Sequence, residues 1–176
     1  MEFVDILNKR QSCRNFDGEK EVEAEKLSAL FEAVRLSPSA CNSQPYFVTV
    51  CKGEAAKKVA VATQKMGANK FASDAPVMLV ISENDYNKSA AVGAKAMKND
   101  FRSIDIGIVT ANIVSYAEEL GLASCIIGWL DEKKIKDVCG IDSTVRLVIA
   151  LGYAAEGDRL RTKRRKSYDK LLKVIE

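Results

Sequence analysis

The chain has 176 residues and a formal net charge of +3 at pH 7, with 47% hydrophobic and 29% charged residues. That balance fits a single folded domain over residues 1–176, and near-neutral charge without an aromatic-basic stripe argues against a nucleic-acid binder. Histidine is absent, which excludes a Ser-His-Asp or Cys-His engine and any His-ligated metal, leaving chemistry to a cofactor or to Lys, Asp, Glu, Tyr or Cys.

Five cysteines, at 13, 41, 51, 125 and 139, show no CxxC or CxxxC pairing, so neither a disulfide framework nor a zinc site is expected. Cys51 and Cys125 lie in apolar runs and are predicted to be small core residues. Apolar runs such as 76–81 and 147–151 are too short to cross a bilayer. Residues 1–5 include acidic side chains and no apolar core of signal-peptide length, so a cytoplasmic protein without membrane contact is expected.

In chain order, Phe3, Ile6 and Leu7 recur at helical spacing and predict a short helix ending near Arg10. Leu27, Leu30, Phe31 and Val34 predict a second helix, which stops near Leu36 because Pro38 pushes Ser37 out of the helical region. Residues 46–51 are β-branched and aromatic and predict a strand. Residues 54–65 predict a helix ended by Gly67, and 76–82 a buried strand. The polar, Ala- and Lys-rich segment 84–99 reads equally as a loop or an exposed helix. Residues 104–120 predict a helix that is apolar around most of its circumference, hence central or at a subunit interface, with Gly121 as its stop. A strand over 123–130, a helix over 131–138 capped by Asp131 and a last strand over 145–153 complete an α-with-β pattern around one sheet. The tail from 156 is polar and basic, with Leu171, Leu172 and Ile175 able to anchor.

Four segments could carry chemistry. In Arg10-Gln11-Ser12-Cys13-Arg14, the residues Arg10, Ser12 and Arg14 share one face if the segment is extended. Two guanidinium forks and a hydroxyl suit a phosphate; a charged surface turn is the alternative. Residues 37–46 join small side chains, which let backbone approach a planar ligand, to the amides of Asn42 and Gln44; a plain helix-to-strand connection is the alternative. Gly128, just after a strand, either bends the chain or lets the N–H groups of Ile127 and Gly128 face a ligand. Residues 161–166, Arg-Thr-Lys-Arg-Arg-Lys, are a solvated tail unless the fold brings them to the first cluster.

Taken together, the Arg-x-Ser-x-Arg, the Pro-Ser-Ala-x-Asn-x-Gln-Pro loop, the helix ending in Gly-Leu-x-Ser-Cys, the Ile-Gly, the Leu-Gly-Tyr and the closing Lys-x-Arg follow the order of the flavin-binding nitroreductases. The chain resembles that family from residue 3 to about residue 173. The resemblance implies an α+β, nitroreductase-like fold: a mixed central β-sheet flanked by helices, in an intertwined homodimer with a swapped C-terminal tail. Residues 156–176 would be a basic extension packing on the partner subunit. It implies bound FMN, with NADH or NADPH as hydride donor. Arg10, Ser12 and Arg14, with Gln11 in the same cofactor-binding set, would grip the phosphate and ribityl end, and Lys163 and Arg165 would close on that phosphate. Pro38, Ser39 and Ala40 would lie against the ring from the partner subunit, with Asn42 and Gln44 nearby. Ile127 and Gly128 would meet the flavin's reactive edge, and Lys70 its pyrimidine edge.

The implied mechanism suits a chain without histidine. Hydride passes from NAD(P)H to flavin N5, the nicotinamide leaves, and a nitroaromatic, quinone or similar small-molecule electron acceptor takes its place. No catalytic side chain is expected, because the cofactor performs the redox step. Residues 82–99 leave little room for a long lid, so an open and unselective pocket is expected. Ile127 stands where some family members carry an acidic residue. The alternatives are a specialised relative (a reductive dehalogenase or flavin-cleaving enzyme), a flavin storage or sensing protein, and a thiol enzyme on Cys13 or Cys41. The last lacks a partner base.

Overall fold

The computed structural model describes residues 2–176. Among these, helices and strands interleave as α1 (Phe3–Lys9), α2 (Ala24–Arg35), β1 (Tyr46–Lys52), α3 (Gly53–Ala62), β2 (Val77–Glu83), α4 (Lys88–Met97), α5 (Phe101–Glu119), β3 (Ala123–Ile127), α6 (Glu132–Cys139) and β4 (Val145–Gly152). The strands form one sheet in the order β1-β2-β4-β3, and every pair of named strands is antiparallel. The expectation of a mixed sheet is therefore corrected: parallel pairing is confined to an isolated bridge between Ser12 and Ser124. The cause lies in the connections. The chain between β1 and β2 goes out through α3 and comes back through short 3-10 turns, so Val77 starts opposite Lys52.

The central strands set the layers. Val77 to Ser82 are all buried, as a continuous apolar run covered on both faces should be. Cys51, Met78, Val80, Val148 and Ala150 point to one face, beneath α3 and α6. Leu79, Ile81, Ile149 and Leu151 point to the other, beneath α2 and α5.

Helix ends follow their local chemistry. Leu122 N–H donates to Ala117 O (2.8 Å) and Gly121 N–H to Glu118 O (3.0 Å), with Gly121 at φ +73°. That is a Schellman closure, and it aims the chain from α5 into β3. Asp131 caps α6 by accepting the Lys134 N–H at 3.2 Å. The predicted end of α3 moves back from Lys65 to Ala62, because its last carbonyls are taken elsewhere: Thr63 Oγ1 donates to Ala60 O, Asp131 N–H to Ala62 O, and Asn69 Nδ2 to Thr63 O. The predicted β3 likewise shortens to Ile127, since beyond it Trp129 leaves the sheet and donates its Nε1–H to Lys65 O at 2.9 Å. The undecided segment 84–99 holds α4, capped by Asn87, whose Oδ1 accepts the Ala90 N–H at 2.9 Å.

Gly152 closes β4 in a tight place: a Cβ there would lie 2.6 Å from Pro76 Cδ and 3.3 Å from Phe16 Cδ1. Gly152→Ala is expected to destabilise the fold by about 1–3 kcal/mol, the usual cost of overpacking against atoms that cannot move aside. Denaturant titration checks it; an unchanged midpoint would mean that the Pro76 ring gives way.

Candidate functional site

The two ends of the chain meet on the free edge of β3. Ser12 bridges Ser124, and Cys13 N–H donates to Ser124 O at 2.9 Å, so residues 12–13 run extended along the edge strand. Side chains then alternate. Cys13 is buried and, with Gln11, Glu118 and Asp158, lines a cleft of about 400 Å³. Ser12 and Arg14 take the opposite side. Gln11 is therefore set apart from its neighbours and holds the C-terminal segment: Oε1 accepts the Arg161 N–H (3.0 Å) and Nε2 donates to Arg159 O (3.3 Å).

The basic tail is strapped to this segment. Lys163 Nζ donates to Arg10 O at 2.6 Å, and the Arg161 guanidinium donates to Ser12 O and to the largely buried Asp158 carboxylate. The positive groups crowd one another. Burial holds the Lys163 ammonium below its usual range, and the charges of Arg10, Arg165 and Arg161 depress it further. Burial raises the Glu118 carboxyl against the pull of Lys9, Lys163 and Arg10. Burial also raises the Cys125 thiol, opposed by Arg14, Ser12, Arg161 and Arg10. Arg10, Ser12, Arg14, Lys163 and Arg165 thus lie within electrostatic reach of one small region, together with Arg161, which sequence reasoning left in the tail.

Further along β3, Ile127 is buried by its side chain, whereas Gly128 is exposed. From Ser124 to Gly128 the strand spans about 13 Å. The exposed Lys70 opens the turn Lys70–Asp74 beside it. That turn is docked by Asn69, at φ +53°, whose amide donates to Thr63 O (3.0 Å) and Trp129 O (3.3 Å).

The loop after α2 is the third part. Cys41, Asn42 and Gln44 hold φ of +51°, +51° and +47°, a left-handed conformation that L-residues keep only when the surroundings impose it. Here they do. Ser39 Oγ accepts the Gln44 N–H at 2.8 Å, Asn42 Oδ1 accepts from Gln44 Nε2 at 2.8 Å, and Asn87 Nδ2 donates to Cys41 O at 2.8 Å. Ala40 N–H donates to both carboxylate oxygens of Asp105, at 3.1 and 3.2 Å. Asp105 is 2% exposed. Pro38 stays exposed, with Ser39 and Ala40 half-buried beside it.

These parts do not converge within one chain. The loop 37–45 is anchored at Asp105, near the start of α5, and the cationic cluster surrounds Glu118, near its end. About 20 Å of helix separates them. Sequence reasoning missed both Asp105 and Asn87; the one signal was an aspartate interrupting the apolar stripe of α5.

The cysteines also sort themselves. Burial pushes the Cys13 thiol up to about 11, and Cys51, Cys125 and Cys139 are raised by burial too. Cys41 alone is exposed. A disulfide reagent added to native protein should therefore titrate Cys41 rapidly, the half-buried Cys139 slowly, and the three buried thiols only on unfolding. Fast reaction at Cys13 would revive the thiol-enzyme alternative.

The fold has counterparts among known proteins. The nitroreductase family model matches residues 7–67 and 52–153 of this sequence. The chain belongs to the nitroreductase family. An oxygen-insensitive NADPH nitroreductase of Helicobacter pylori is 26% identical over 172 residues, covering 78% of this chain and 82% of the relative. A nitroreductase-family structure from Streptococcus pneumoniae superposes with a TM-score of 0.82 at 21% identity, covering 99% and 100% of the two chains. A nitroreductase from Bacteroides fragilis with bound FMN gives 0.75 at 22% identity, with 100% of both chains covered. The α+β nitroreductase fold is thereby established for this chain, with its cationic cluster and left-handed loop at opposite ends of α5.

Proposed function

We propose that this nitroreductase-family chain is an FMN-dependent NAD(P)H oxidoreductase passing electrons to a nitroaromatic, quinone or similar small acceptor. The observation that carries this is the crowding at the β3 edge. Burial and the neighbouring charges of Arg10, Arg165 and Arg161 hold the Lys163 ammonium below its usual range, which a bound dianion would relieve, and the donors of these side chains suit a phosphate monoester. The names of similar proteins support the cofactors: the Helicobacter relative is named for NADPH and the Bacteroides structure for FMN.

In this reading Arg10, Ser12 and Arg14 hold the phosphate and ribityl end, and Lys163 and Arg165 close over it. Lys163 reaches it because its hydrogen bond to Arg10 O keeps the tail in place. Bound FMN supplies a ring that accepts hydride from the nicotinamide and releases electrons to the acceptor. The Ile127 and Gly128 N–H groups orient the reactive edge, and the Lys70 charge favours negative charge at the far edge. Pro38, Ser39 and Ala40 cover the ring, with Asn42 and Gln44 bracing the loop. No side chain of the protein exchanges a proton or electron that the reaction requires.

Residues 1–176 act as one domain whose site is completed by a second copy. Three features support the homodimer. The loop and the cationic cluster are too far apart to serve one cofactor from one chain. α5 carries a stripe of small and apolar residues away from the sheet, Ile104, Gly107, Ile108 and Ala111, none of them fully buried. Phe3 and Leu36 stand 64% and 68% exposed around a cleft beside Tyr116, the kind of patch that marks an interface. Residues 159–163 of the extension 156–176 are bonded to residues 10–12 of their own chain, and its end, with Leu171, Leu172 and Ile175 exposed, packs on the partner. No helix of the described residues is long and apolar enough to cross a membrane, consistent with a cytoplasmic enzyme. α4, over residues 88–97, fills the short lid region and leaves an open, unselective pocket.

The test is a visible spectrum of the purified protein, repeated anaerobically after adding NADH or NADPH. A flavin spectrum that bleaches is the expected result. Flavin that binds without bleaching favours storage, sensing or a specialised relative. Protein that takes up no FMN rejects the proposal.

A further inference from the structure

On the sheet face away from α5, the sulfurs of Cys51 and Cys139 lie 3.7 Å apart. Cys51 sits in β1, and Cys139 is the last residue of α6, just before Gly140 turns the chain at φ +63°. Both belong to the core beneath α3 and α6. The flavin reading uses neither of them. The remaining cysteines differ: Cys13 is engaged by Asn15 O and the Asp158 carboxylate, Cys125 by Ile126 O, and Cys41 stands exposed on the left-handed loop.

We propose that Cys51 and Cys139 are a peroxide-oxidisable dithiol, closing to a reversible intramolecular disulfide that staples β1 to the end of α6. A disulfide needs its sulfurs about 2.0 Å apart, so two thiols already in contact require only small side-chain rotations. Access orders the steps. Cys139 is half-buried, whereas Cys51 is 4% exposed, so hydrogen peroxide reaches Cys139 first. The Cys139 thiolate attacks one peroxide oxygen, the O–O bond breaks, and the departing hydroxide takes up a proton to become water, leaving a sulfenic acid. Cys51, as thiolate, then attacks that sulfur. The S–O bond breaks, and the leaving hydroxide becomes water with the proton that Cys51 released. Two thiols and one hydrogen peroxide give one disulfide and two waters. Burial pushes the Cys51 thiol up to about 12 and raises Cys139 as well, so thiolate is scarce at neutral pH and closure is slow, as befits a response to sustained peroxide.

The position gives the linkage a structural meaning. β1 leads directly out of the loop 37–45, and α6 follows the Gly128 segment after three residues. A bond between them joins the strand behind one proposed flavin contact to the helix behind another.

The experiment uses the full-length chain carrying Cys41→Ser, which removes the exposed thiol. The protein is treated with hydrogen peroxide, denatured, alkylated and digested for mass spectrometry. The expected product is a Cys51–Cys139 linked peptide pair, lighter by two hydrogens than its separate parts, that dithiothreitol splits. Adding Cys139→Ser should abolish the linkage and leave Cys51 fully alkylated. Recovery of both cysteines as free thiols overturns the proposal. So does Cys139 advancing to the sulfinic acid beside an unreacted Cys51, or Cys51 linked to a different cysteine. The readout is a peptide mass, so it is scored whether or not the protein binds FMN.

Discussion

Replacing Arg10 and Lys163 together by alanine is expected to weaken FMN binding by about 100-fold or more, read from the quenching of flavin fluorescence. A hydrogen bond to a charged group is worth about 1.5–3 kcal/mol, and about 1.4 kcal/mol is tenfold in affinity. The double variant removes two such donors from one phosphate. It also removes the bond from Lys163 Nζ to Arg10 O, which loosens the tail around Arg165 while Gln11 and Ser12 still hold residues 159 and 161. Arg10→Ala alone leaves that bond intact, since it is to the backbone, and should cost about tenfold. The residual affinity of the double variant should also depend less on salt. Wild-type affinity in the double variant would remove the cationic cluster from the cofactor site and with it the main support for the proposed function.

Ala111→Glu should have a comparable effect from a place that touches no cofactor. Ala111 lies on the exposed stripe of α5 with Ile104, Gly107 and Ile108. In one chain that surface meets solvent, so a glutamate costs little. In an isologous dimer a residue on this stripe is buried twice, once from each side, and an unpaired carboxylate taken out of water costs several kcal/mol. Sedimentation velocity should therefore show monomers, with an unchanged fold by circular dichroism and FMN affinity lower by at least about 100-fold. A dimer that binds FMN normally would exclude α5 from the interface. A monomer that binds FMN normally would show that one chain carries a complete site, despite the length of helix between its parts.

What could be read from the residues, and what could not, divides by the range of the interactions involved. α5 was visible because Ile106, Val109, Ile113 and Ala117 repeat at the helical period, and all four are buried. Its stop was visible because Gly121 follows. α4 was not, because its alanines and lysines carry no strong stripe. Its start depends on Asn87, which caps the helix while its amide N–H is bonded to Cys41 O, far away in sequence. The same limit explains α3: nothing near residue 62 announces that Asp131 and Asn69 will take its last carbonyls. In the strand order, β1 with β2 and β3 with β4 are consecutive neighbours, whereas the pairing of β2 with β4 joins distant segments and could not be read locally.

The candidate site divides in the same way. Arg10, Ser12 and Arg14 were legible from a period of two, and the burial of Cys13 between them is that period at work. The return of Lys163 and Arg161 to that segment rests on hydrogen bonds across nearly the whole chain. Asp105 shows the limit most clearly. A carboxylate on a buried helix face looks like an error in the pattern until the Ala40 amide is placed against it.

The length of α5 has a genetic consequence. In the proposed dimer each pocket takes its cationic cluster from one subunit and its left-handed loop from the other. A chain damaged only at Arg10 and Lys163 and a chain damaged only at the loop around Pro38 would each be inactive as a pure dimer. Assembled together, they would form mixed dimers in which one pocket inherits both lesions and the other inherits neither. Two defective alleles expressed in one cell would then restore activity by complementation, each supplying what the other lost.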